Sequence, residues 1–471
     1  MSDLRPVIIG GGPAGISAAR TLVERQLPCL LLEKDRQMGG LCKTVEYKGF
    51  RCDIGGHRFF TKNKEIQALW ENTLGKEFLV RQRLSRIYYR GKFFYYPLRV
   101  GNALSGLGPA ESSKIILSYL KAQAFPVSPE VSFADWVSNR FGKVLFNIFF
   151  KTYTEKVWGI PCTTLSADWA AQRIRNLSLG RALINALGLK NSGKVASLID
   201  NFHYPRLGPG QMYEDMCRRL SRAGGEIRPG QEVVEVQHLQ DRVTGVLTRN
   251  GGSDQLTPCS HCFSSMPISE LVLRMSPQPP ESVLEAARSL RYRSIITVNL
   301  LFKTKTTLPD NWIYLHSPEV TAGRLQLYEN WSPAMVPAAG TSSAGFEYFC
   351  FEGDDLWNLS DSGLIDLARR DLSHLKFYNQ EDWLDGFVVR YAKAYPMYED
   401  GYEKHLGLVK GWLAQFGNLY CIGRYGQFRY NNMDHSMLTG MLAARAMLGE
   451  KVDPWSVNAE GEYIEERRGE S

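Results

Sequence analysis

The chain has 471 residues, of which 44% are hydrophobic and 22% charged, and its formal net charge is +7. This length allows roughly three domains of about 150 residues each, and the composition is typical of a globular protein with a packed core. No apolar run approaches the roughly 20 residues of a spanning helix, which argues against an integral membrane protein. The positive charge fits either a mildly basic enzyme or an anionic partner, namely a phosphorylated substrate, a nucleic acid or a membrane.

The nine cysteines are scattered along the chain. Cys259 and Cys262 form a lone CxxC pair, whereas a zinc site of this type needs a second pair, so we predict no metal site. We also expect no targeting segment, because an apolar strand follows almost directly after Met1. An odd number of thiols without a signal peptide favours a reducing compartment, and we therefore expect a cytoplasmic protein.

The N-terminal residues are predicted to form a strand, a glycine turn, a helix and a second strand. Residues 6–9 are an apolar run, residues 16–25 have helical periodicity and residues 29–33 form another apolar run. Glycine pairs at 39–40 and 55–56 then interrupt a stretch with little helix signal.

The residues after this N-terminal unit have a different pattern of predicted helices and strands. Residues 64–75 have a helical pattern, and residues 86–97 alternate as a hairpin that turns at Arg90 and Gly91. Most of residues 110–200 has a helical pattern broken at prolines, which predicts a separate helical cap. Beyond it we predict strands within 224–267 and at 295–302, 346–352 and 420–423, and helices at 363–377 and 437–448.

Because strand-like segments return after a long insertion, the order predicts interleaved domains of a mixed α/β fold with α+β inserts. We predict a discontinuous dinucleotide-binding domain, a hairpin with a helical substrate cap, an antiparallel-sheet substrate domain and a disordered charged tail. The dinucleotide-binding domain comprises residues 1–80, 205–275 and 410–450. The hairpin and helical cap span 81–204, the antiparallel-sheet substrate domain spans 276–409, and the tail spans 457–471.

The first glycine turn carries a dinucleotide-binding motif. Gly10, Gly12 and Gly15 have the spacing G-x-G-x-x-G directly after a strand. Gly10 permits the tight turn, Gly12 lets the backbone approach a pyrophosphate, and Gly15 lets the helix pack closely on the strand. Pro13 and Ala14 open the helix, whose free N–H groups suit phosphate. This unit therefore predicts a bound dinucleotide.

The residues after this motif favour FAD over NAD. Glu33 ends the second strand, where an acidic side chain can bind ribose hydroxyls. The run from Glu33 and Lys34 to Gly40 resembles the acid-to-GG extension of flavoproteins in the amine oxidase superfamily, which NAD dehydrogenases do not usually carry. Val233 lies on a strand that resembles the adenine-contacting strand of that superfamily, although it could equally be an ordinary buried residue.

The C-terminal segment resembles the second FAD-contacting segment of the same superfamily, in which a helix N-terminus points at the flavin. Small residues, including Gly440, recur along this helix. The resemblance adds six cofactor contacts: Gly423, Arg424, Met433, Asp434, Ser436 and Met437.

Within that superfamily, motifs between residue 7 and about 448 resemble UDP-galactopyranose mutase, particularly its eukaryotic type. Gly40, Leu41, Gly56 and His57 belong to a segment that resembles the one lying against the isoalloxazine in the mutases. Other resembling segments are 156–164 with Trp169 and Arg173; 312–314 with Arg324 and 330–333; a turn at Tyr395 and Pro396; and 423–436, which is the most specific.

This resemblance implies an FAD domain of the glutathione-reductase-2/amine-oxidase type and a chemistry in which the cofactor is the nucleophile. In the mutases, N5 of the reduced flavin attacks the anomeric carbon, UDP leaves, and the sugar ring opens and recloses before UDP returns. The protein then needs no nucleophilic side chain of its own. It must orient the flavin and neutralise a diphosphate, for which arginine and tyrosine are suited.

The same resemblance supplies candidate residues. The catalytic candidates are His57, Arg173, Arg324, Tyr395 and Tyr430, with His57 expected to respond to the flavin redox state rather than to act as a simple base. Without the family, a buried tyrosine or tryptophan is usually core, and Arg173 is more often on a solvated helix face. Further substrate contacts are predicted at Tyr96, Trp158, Trp169, Tyr292 and Asn432.

Two features depart from or complicate this resemblance. Phe302 stands where the mutases use an arginine, and Arg293 or Lys303 could take its place. The hairpin, extended to residue 99, is rich in aromatic and basic residues, as in membrane or nucleic-acid contacts. Its alternation fits a two-faced strand pair better, one that runs into the flavin pocket near Tyr96.

Two functions therefore stay open. The first is an FAD-dependent mutase acting on a UDP- or dTDP-hexose for glycan precursor synthesis, with NAD(P)H as a candidate reductant. The second is an FAD-dependent oxidoreductase, either an amine oxidase, a protoporphyrinogen-oxidase-like enzyme or a desaturase. The predicted phosphate-binding residues, Arg173, Arg324 and the paired tyrosines, discriminate between the two functions. An oxidoreductase that acts on an apolar substrate does not need these residues. We expect no nucleic-acid partner, and peripheral membrane contact stays open.

Overall fold

The computed structural model describes residues 4–96, 98, 100–167, 201–399 and 401–458. The predicted contacts Trp169 and Arg173 and nearly all of the predicted tail lie outside these residues. The strands in the described part, in chain order, are β1 Val7–Ile9, β2 Leu30–Glu33, β3 Thr44–Tyr47, β4 Phe50–Asp53, β5 Phe78–Gln82, β6 Ser85–Tyr89, β7 Lys92–Tyr95, β8 Asn201–Pro205, β9 Glu226–Pro229, β10 Glu232–Leu239, β11 Arg242–Asn250, β12 Ser253–Pro258, β13 Cys262–Ser264, β14 Met275–Ser276, β15 Tyr292–Phe302, β16 Trp312–Leu315, β17 Arg324–Leu327, β18 Ser342–Cys350, β19 Trp383–Pro396 and β20 Leu419–Cys421.

The helices of the described residues range from one turn to sixteen residues. None of them is both long and apolar enough to cross a membrane. In chain order they are α1 Pro13–Glu24, α2 Lys64–Leu74, α3 Val100–Leu107, α4 Pro109–Ala124, α5 Phe133–Phe141, α6 Lys143–Phe146, α7 Thr152–Trp158, α8 Gly210–Arg222, α9 Ile268–Leu273, α10 Glu281–Ser289, α11 Tyr328–Trp331, α12 Asp355–Asn358, α13 Asp361–Leu375, α14 Tyr402–Leu413, α15 Gly423–Gly426 and α16 Met433–Met447.

A five-stranded parallel sheet with the order β20-β13-β1-β2-β9 forms the first layer. Its central strands are apolar and buried on both faces, as expected of a parallel sheet covered by helices. Helices α1, α2, α8 and α16 share a hydrophobic core on one face. On the other face, β10, α9, α10 and α14 share a second core with the strands. This arrangement confirms the predicted α/β fold.

The second large sheet has seven strands in the order β19-β15-β18-β17-β16-β6-β7. Its long central strands β15 and β18 are buried along their whole length. The predicted hairpin is present, and Arg90 and Gly91 both have positive φ, as a tight two-residue turn requires. Through β6 the hairpin pairs with β16 and extends this sheet.

The helical cap consists, in the described residues, of α3 to α7 around their own aromatic core. A capping box between Ser132 and Asp135 starts α5 and fixes the entry of the chain into that helix. The domain boundaries proposed from the sequence stay a prediction. The pairing of β6 with β16 nevertheless ties the hairpin to the sheet of residues 276–409 rather than to the helices alone.

Two elements near the C-terminus differ from the prediction. Tyr395 and Pro396 were expected in a turn, but they are the last residues of the fourteen-residue strand β19 and pair with Arg293 and Tyr292. A β-bulge in this strand, with Lys393 at positive φ, breaks its alternation and leaves no continuous period-two pattern in the sequence. Helix α14 was also missed.

Candidate active site

A cavity of about 1330 Å³ lies between the carboxyl ends of the parallel sheet and the seven-stranded sheet. Gly10, Glu33, Ser265 and Gly423, which end or closely follow four of the parallel strands, all line it. Ligands of open α/β sheets bind in this crevice. The cavity is therefore where the fold alone would place a dinucleotide.

The glycine motif forms a bare cradle at one end of the cavity. Gly12 caps α1 without any side-chain hydrogen bond, so the first N–H groups of this helix face the cavity. Gly10 has φ +100°, and a Cβ on Gly15 would come 1.9 Å from the carbonyl oxygen of Gly10. Gly40 approaches Gly12 from the opposite side. Helix dipole and exposed backbone together suit a pyrophosphate.

The predicted ribose ligand Glu33 is held in position by the backbone. Its Oε2 accepts a hydrogen bond from Gly11 N at 2.5 Å, and its Oε1 accepts one from Asp35 N at 2.8 Å. Burial raises the pKa of Glu33, and these two N–H groups oppose that rise. Lys34 and Val233 also line the cavity.

The C-terminal segment supplies a second helix N-terminus. Asn432 caps α16 in a capping box with His435, and Met433, Asp434 and Ser436 line the cavity. Gly440 fixes this helix against α1, because a Cβ there would come 2.0 Å from Ala14 O. Two helix N-termini and a glycine backbone therefore face one cavity, and they fit an extended dinucleotide.

The far end of the cavity brings together three of the predicted catalytic residues. The Arg324 guanidinium donates to the hydroxyl of Tyr395 at 3.0 Å, and the rings of Tyr395 and Tyr430 stack with centroids 5.8 Å apart. The Arg424 guanidinium lies 4.7 Å from the Tyr430 ring centroid. These four side chains, of Arg324, Tyr395, Tyr430 and Arg424, form a wall of guanidinium and phenol groups, which we call the cationic wall. It adjoins the expected flavin position.

His57 lies at the same end as a neutral imidazole. Its Nδ1–H donates to Gly55 O at 3.2 Å, which leaves Nε2 as an acceptor. Burial, followed by the charges of Arg424 and Arg324, lowers the pKa of His57 to about 3. The side chain is therefore uncharged over the physiological range.

Glu347 is a site residue that the sequence analysis missed. Its fully buried carboxylate pairs with Arg324 at 2.5 Å and accepts a hydrogen bond from the Gln326 amide at 2.5 Å. Burial alone would lower the pKa of Arg324, but attraction to Glu347 and to the phenol groups of Tyr395, Tyr153 and Tyr430 together outweighs it and raises that pKa. A signal was available, because a lone glutamate inside the apolar strand β18 must find a partner.

Most of the predicted site residues line the cavity, and several do not. Gly15 and Met437 pack directly behind it. Tyr96 and Trp158 belong to the core of the helical cap, and Tyr292 packs edge-on against Phe428 in another core. None of these three side chains lines the cavity.

The proposed replacements for the family arginine also lie elsewhere. Arg293 is buried and donates to three backbone carbonyls, those of Lys156, Val157 and Phe349. Lys303 lies outside the cavity lining, with its ammonium 3.9 Å from Asp382. Phe302 is core and stacks on Tyr378. The substitution hypothesis for Arg293 or Lys303 is therefore wrong.

A buried carboxylate behind the His57 loop gives a testable pH dependence. Burial raises the pKa of Asp53 to about 7, although Tyr204 and Thr44 donate hydrogen bonds to it. In the unfolded chain the group titrates near 3.9, so between pH about 4 and about 7 the unfolded state loses this proton first. Asp53 therefore lowers stability as pH rises, by up to about 1.4 kcal/mol per pH unit.

We expect Asp53→Asn, which resembles the protonated acid, to gain in melting temperature relative to the wild type as pH rises through this window. Asp254→Asn is the control, because that exposed carboxylate pairs with Arg249, which lowers its pKa. Its difference from the wild type should not rise with pH. A constant difference for Asp53→Asn from pH about 4 to about 7 would contradict the prediction.

A family model described as flavin containing amine oxidoreductase matches residues 13–448. The chain belongs to this family. Its fold is similar to that of a crystal structure of reduced UDP-galactopyranose mutase, with a TM-score of 0.84 over 98% of this chain and 100% of that one, at 21% identity. Membership confirms the predicted superfamily and a flavin-dependent enzyme.

Two curated relatives differ in the kind of enzyme that their names give, since one is a mutase and the other is a desaturase. The dTDP-fucopyranose mutase of Escherichia coli is 28% identical over 171 residues, 34% of this chain and 44% of that protein. The phytoene desaturase of Fusarium fujikuroi is 23% identical over 337 residues, 66% of this chain and 57% of that protein. The chain thus spans about half the length of these relatives, and both an isomerase and an oxidoreductase are similar to it.

Proposed function

We propose that this protein is an FAD-dependent mutase that interconverts the pyranose and furanose forms of a UDP- or dTDP-hexose. The observation that carries the proposal is the wall formed by Arg324, Tyr395, Tyr430 and Arg424 at the flavin end of the cavity. Guanidinium and phenol groups bind the oxygens of a departing diphosphate well. A long apolar substrate would shield these polar groups from water and offer them no hydrogen bonds of its own, which is costly.

When bound, reduced FAD supplies the nucleophile of such a ring contraction. The residues of this chain would hold the substrate. Arg324 and the tyrosine hydroxyls would bind the phosphates, and the neutral His57 would offer Nε2 to a donor beside the flavin. Arg424, which donates to Ala394 O and Asn431 O, would position the backbone around the ring. A charged wall also excludes competing apolar molecules.

Two observations favour the alternative, an oxidoreductase. Glu347 already neutralises Arg324, so the wall has less positive charge than its two arginines suggest. A net charge nearer zero suits a neutral or cationic substrate, and the match to the phytoene desaturase spans more of the chain than the match to the mutase. The two functions differ in whether electrons are consumed, and this provides the test.

The test uses the flavin-loaded protein, reduced with dithionite or NADPH under anaerobic conditions. Incubated with a panel of UDP- and dTDP-hexopyranoses, it should form a ring-contracted sugar nucleotide without net consumption of reductant. UDP or dTDP alone should perturb the flavin absorbance at micromolar concentration. In a separate aerobic assay of the oxidised protein, steady oxygen consumption with amines, porphyrinogen or carotenoid precursors, together with no furanose from any sugar nucleotide in the anaerobic assay, would establish the oxidoreductase instead.

The cellular location is part of the same proposal. All nine cysteines are free thiols, and eight are buried. Burial raises the pKa of most of these thiols, which makes them unreactive. We propose a cytoplasmic enzyme, since free thiols in this number are typical of a reducing compartment.

A further inference from the structure

Helix α4 and the loop after it present an apolar surface that the catalytic cavity does not use. Leu117, Leu120, Phe125 and Val131 are 67%, 55%, 78% and 70% exposed, and Ile116 and Val127 add to the same stretch. Single exposed apolar residues are common, but a consecutive group of this kind marks an interaction site. We call residues 116–131 the α4 surface.

The exposed apolar residues of α4 form a stripe that is separate from the face of the helix that packs into the core. Ile115 is fully buried, and the same inner side meets α5 and α6 through Ser118 Oγ, which accepts a hydrogen bond from Val144 N. Leu117, Leu120 and Ala124 are spaced i, i+3 and i+7 and therefore share the opposite face. A helix that packs on one face only usually has polar residues on its exposed face. The apolar residues on the exposed face of α4 depart from that pattern.

The loop is held firmly and presents its apolar side chains outward. The Asn139 side chain accepts a hydrogen bond from Val127 N at 2.9 Å and donates one to Val127 O at 2.8 Å. Glu130 pairs with Arg140 at 2.7 Å. These bonds fasten the loop to α5, so the exposure of Phe125 and Val131 is a fixed feature of the fold.

Basic residues border the α4 surface. Lys114 and Lys121 lie on one flank of the exposed stripe, and Lys143 is exposed at the start of α6. Glu111, the acidic residue nearest to the helix start, already pairs with Lys114. Apolar side chains with a lysine border match a bilayer surface with anionic lipids, where the apolar groups enter the acyl boundary and lysines remain at the headgroups.

We propose that the α4 surface docks this protein onto membranes containing anionic lipids. A second copy of the chain is a poorer fit, because a symmetric contact would bring the lysine borders of the two copies together. The inference does not depend on the reaction catalysed. It replaces the membrane hypothesis for the hairpin, whose strands are paired within the seven-stranded sheet.

Cosedimentation with vesicles tests the proposal on the full-length, flavin-loaded protein. We expect binding to phosphatidylcholine vesicles that contain phosphatidylglycerol, and weaker binding at high salt. The triple variant Leu117→Ser, Leu120→Ser, Phe125→Ser should bind at least about tenfold more weakly. Replacing Lys121 and Lys143 by glutamine should weaken binding about fivefold per lysine on the anionic vesicles.

The matched control removes the same kind of side chain elsewhere. Leu239, Leu256 and Leu384 are 70%, 48% and 51% exposed on β10, β12 and β19, and their triple serine variant should bind like the wild type. Flavin content and melting temperature verify that each variant is folded. Absence of vesicle binding by the wild type, or equal binding by both triple variants, would overturn the proposal. So would a wild-type dimer, detected by light scattering, that only the α4 variant dissociates.

Discussion

Replacement of Gly15 by alanine is expected to remove the flavin from the purified protein. The new Cβ would lie 1.9 Å from Gly10 O and 3.2 Å from Ile8 Cγ2, and a backbone oxygen in the tight turn cannot move aside. Overpacking of this kind costs about 1–3 kcal/mol, and here the strain displaces the N-terminus of α1 that faces the cavity. We expect flavin affinity to fall about tenfold to 100-fold, measured by fluorescence titration.

A variant on the facing helix and a matched control make this result specific. Gly440→Ala should have the same effect, because its Cβ would come 2.0 Å from Ala14 O on α1. Gly411 lies within α14 with open space around it, so Gly411→Ala should leave flavin binding unchanged and add up to about 1 kcal/mol of helix stability. Full flavin content with an unchanged melting temperature in Gly15→Ala would contradict the prediction.

Sequence patterns predicted the cofactor half of this site because each of its features is local. The spacing of Gly10, Gly12 and Gly15 and the position of Glu33 after a strand specify one supersecondary unit, and the structure has that unit at the carboxyl edge of the parallel sheet. The hairpin turn at Arg90 and Gly91 was predictable for the same reason, since two residues determine it.

The substrate half was less predictable, because its side chains come from strands far apart in sequence. Glu347 on β18 meets Arg324 on β17, and Tyr395 reaches them from the end of β19. The bulge at Lys393 shifts the alternation of β19, and no local pattern reveals which way Tyr395 then points. Tyr292, predicted as a substrate contact, packs against Phe428 instead of lining the cavity, as a tyrosine at the end of a buried strand often does.

Loss of Arg324 is expected to have the second large effect, on both stability and turnover. In Arg324→Met the carboxylate of Glu347, which is 0% exposed, would lose its ion pair and retain only the Gln326 amide. Removing one partner of a buried pair costs about 3–5 kcal/mol, because the remaining charge is desolvated without compensation. Thermal unfolding of the flavin-loaded protein measures this loss.

The double variant Arg324→Met, Glu347→Gln separates the two roles of the arginine. It contains neither charge, so it should recover much of the stability lost in Arg324→Met, and Glu347→Gln alone completes the double-mutant cycle. Turnover of a sugar nucleotide should not recover, since the donor for the diphosphate is still missing, which costs about 100-fold. Glu347→Gln leaves Arg324 with a net charge toward the cavity and should tighten binding of UDP or dTDP.

The combination of these outcomes decides what the buried pair is for. Stability that recovers without turnover, together with tighter nucleotide binding in Glu347→Gln, means that Glu347 positions Arg324 and moderates its charge for a phosphate. Full turnover in the double variant would contradict a phosphate-binding role and leave Arg324 as a structural partner of Glu347. In that case Arg424 alone supplies the positive charge of the wall, and this lower charge favours the oxidoreductase.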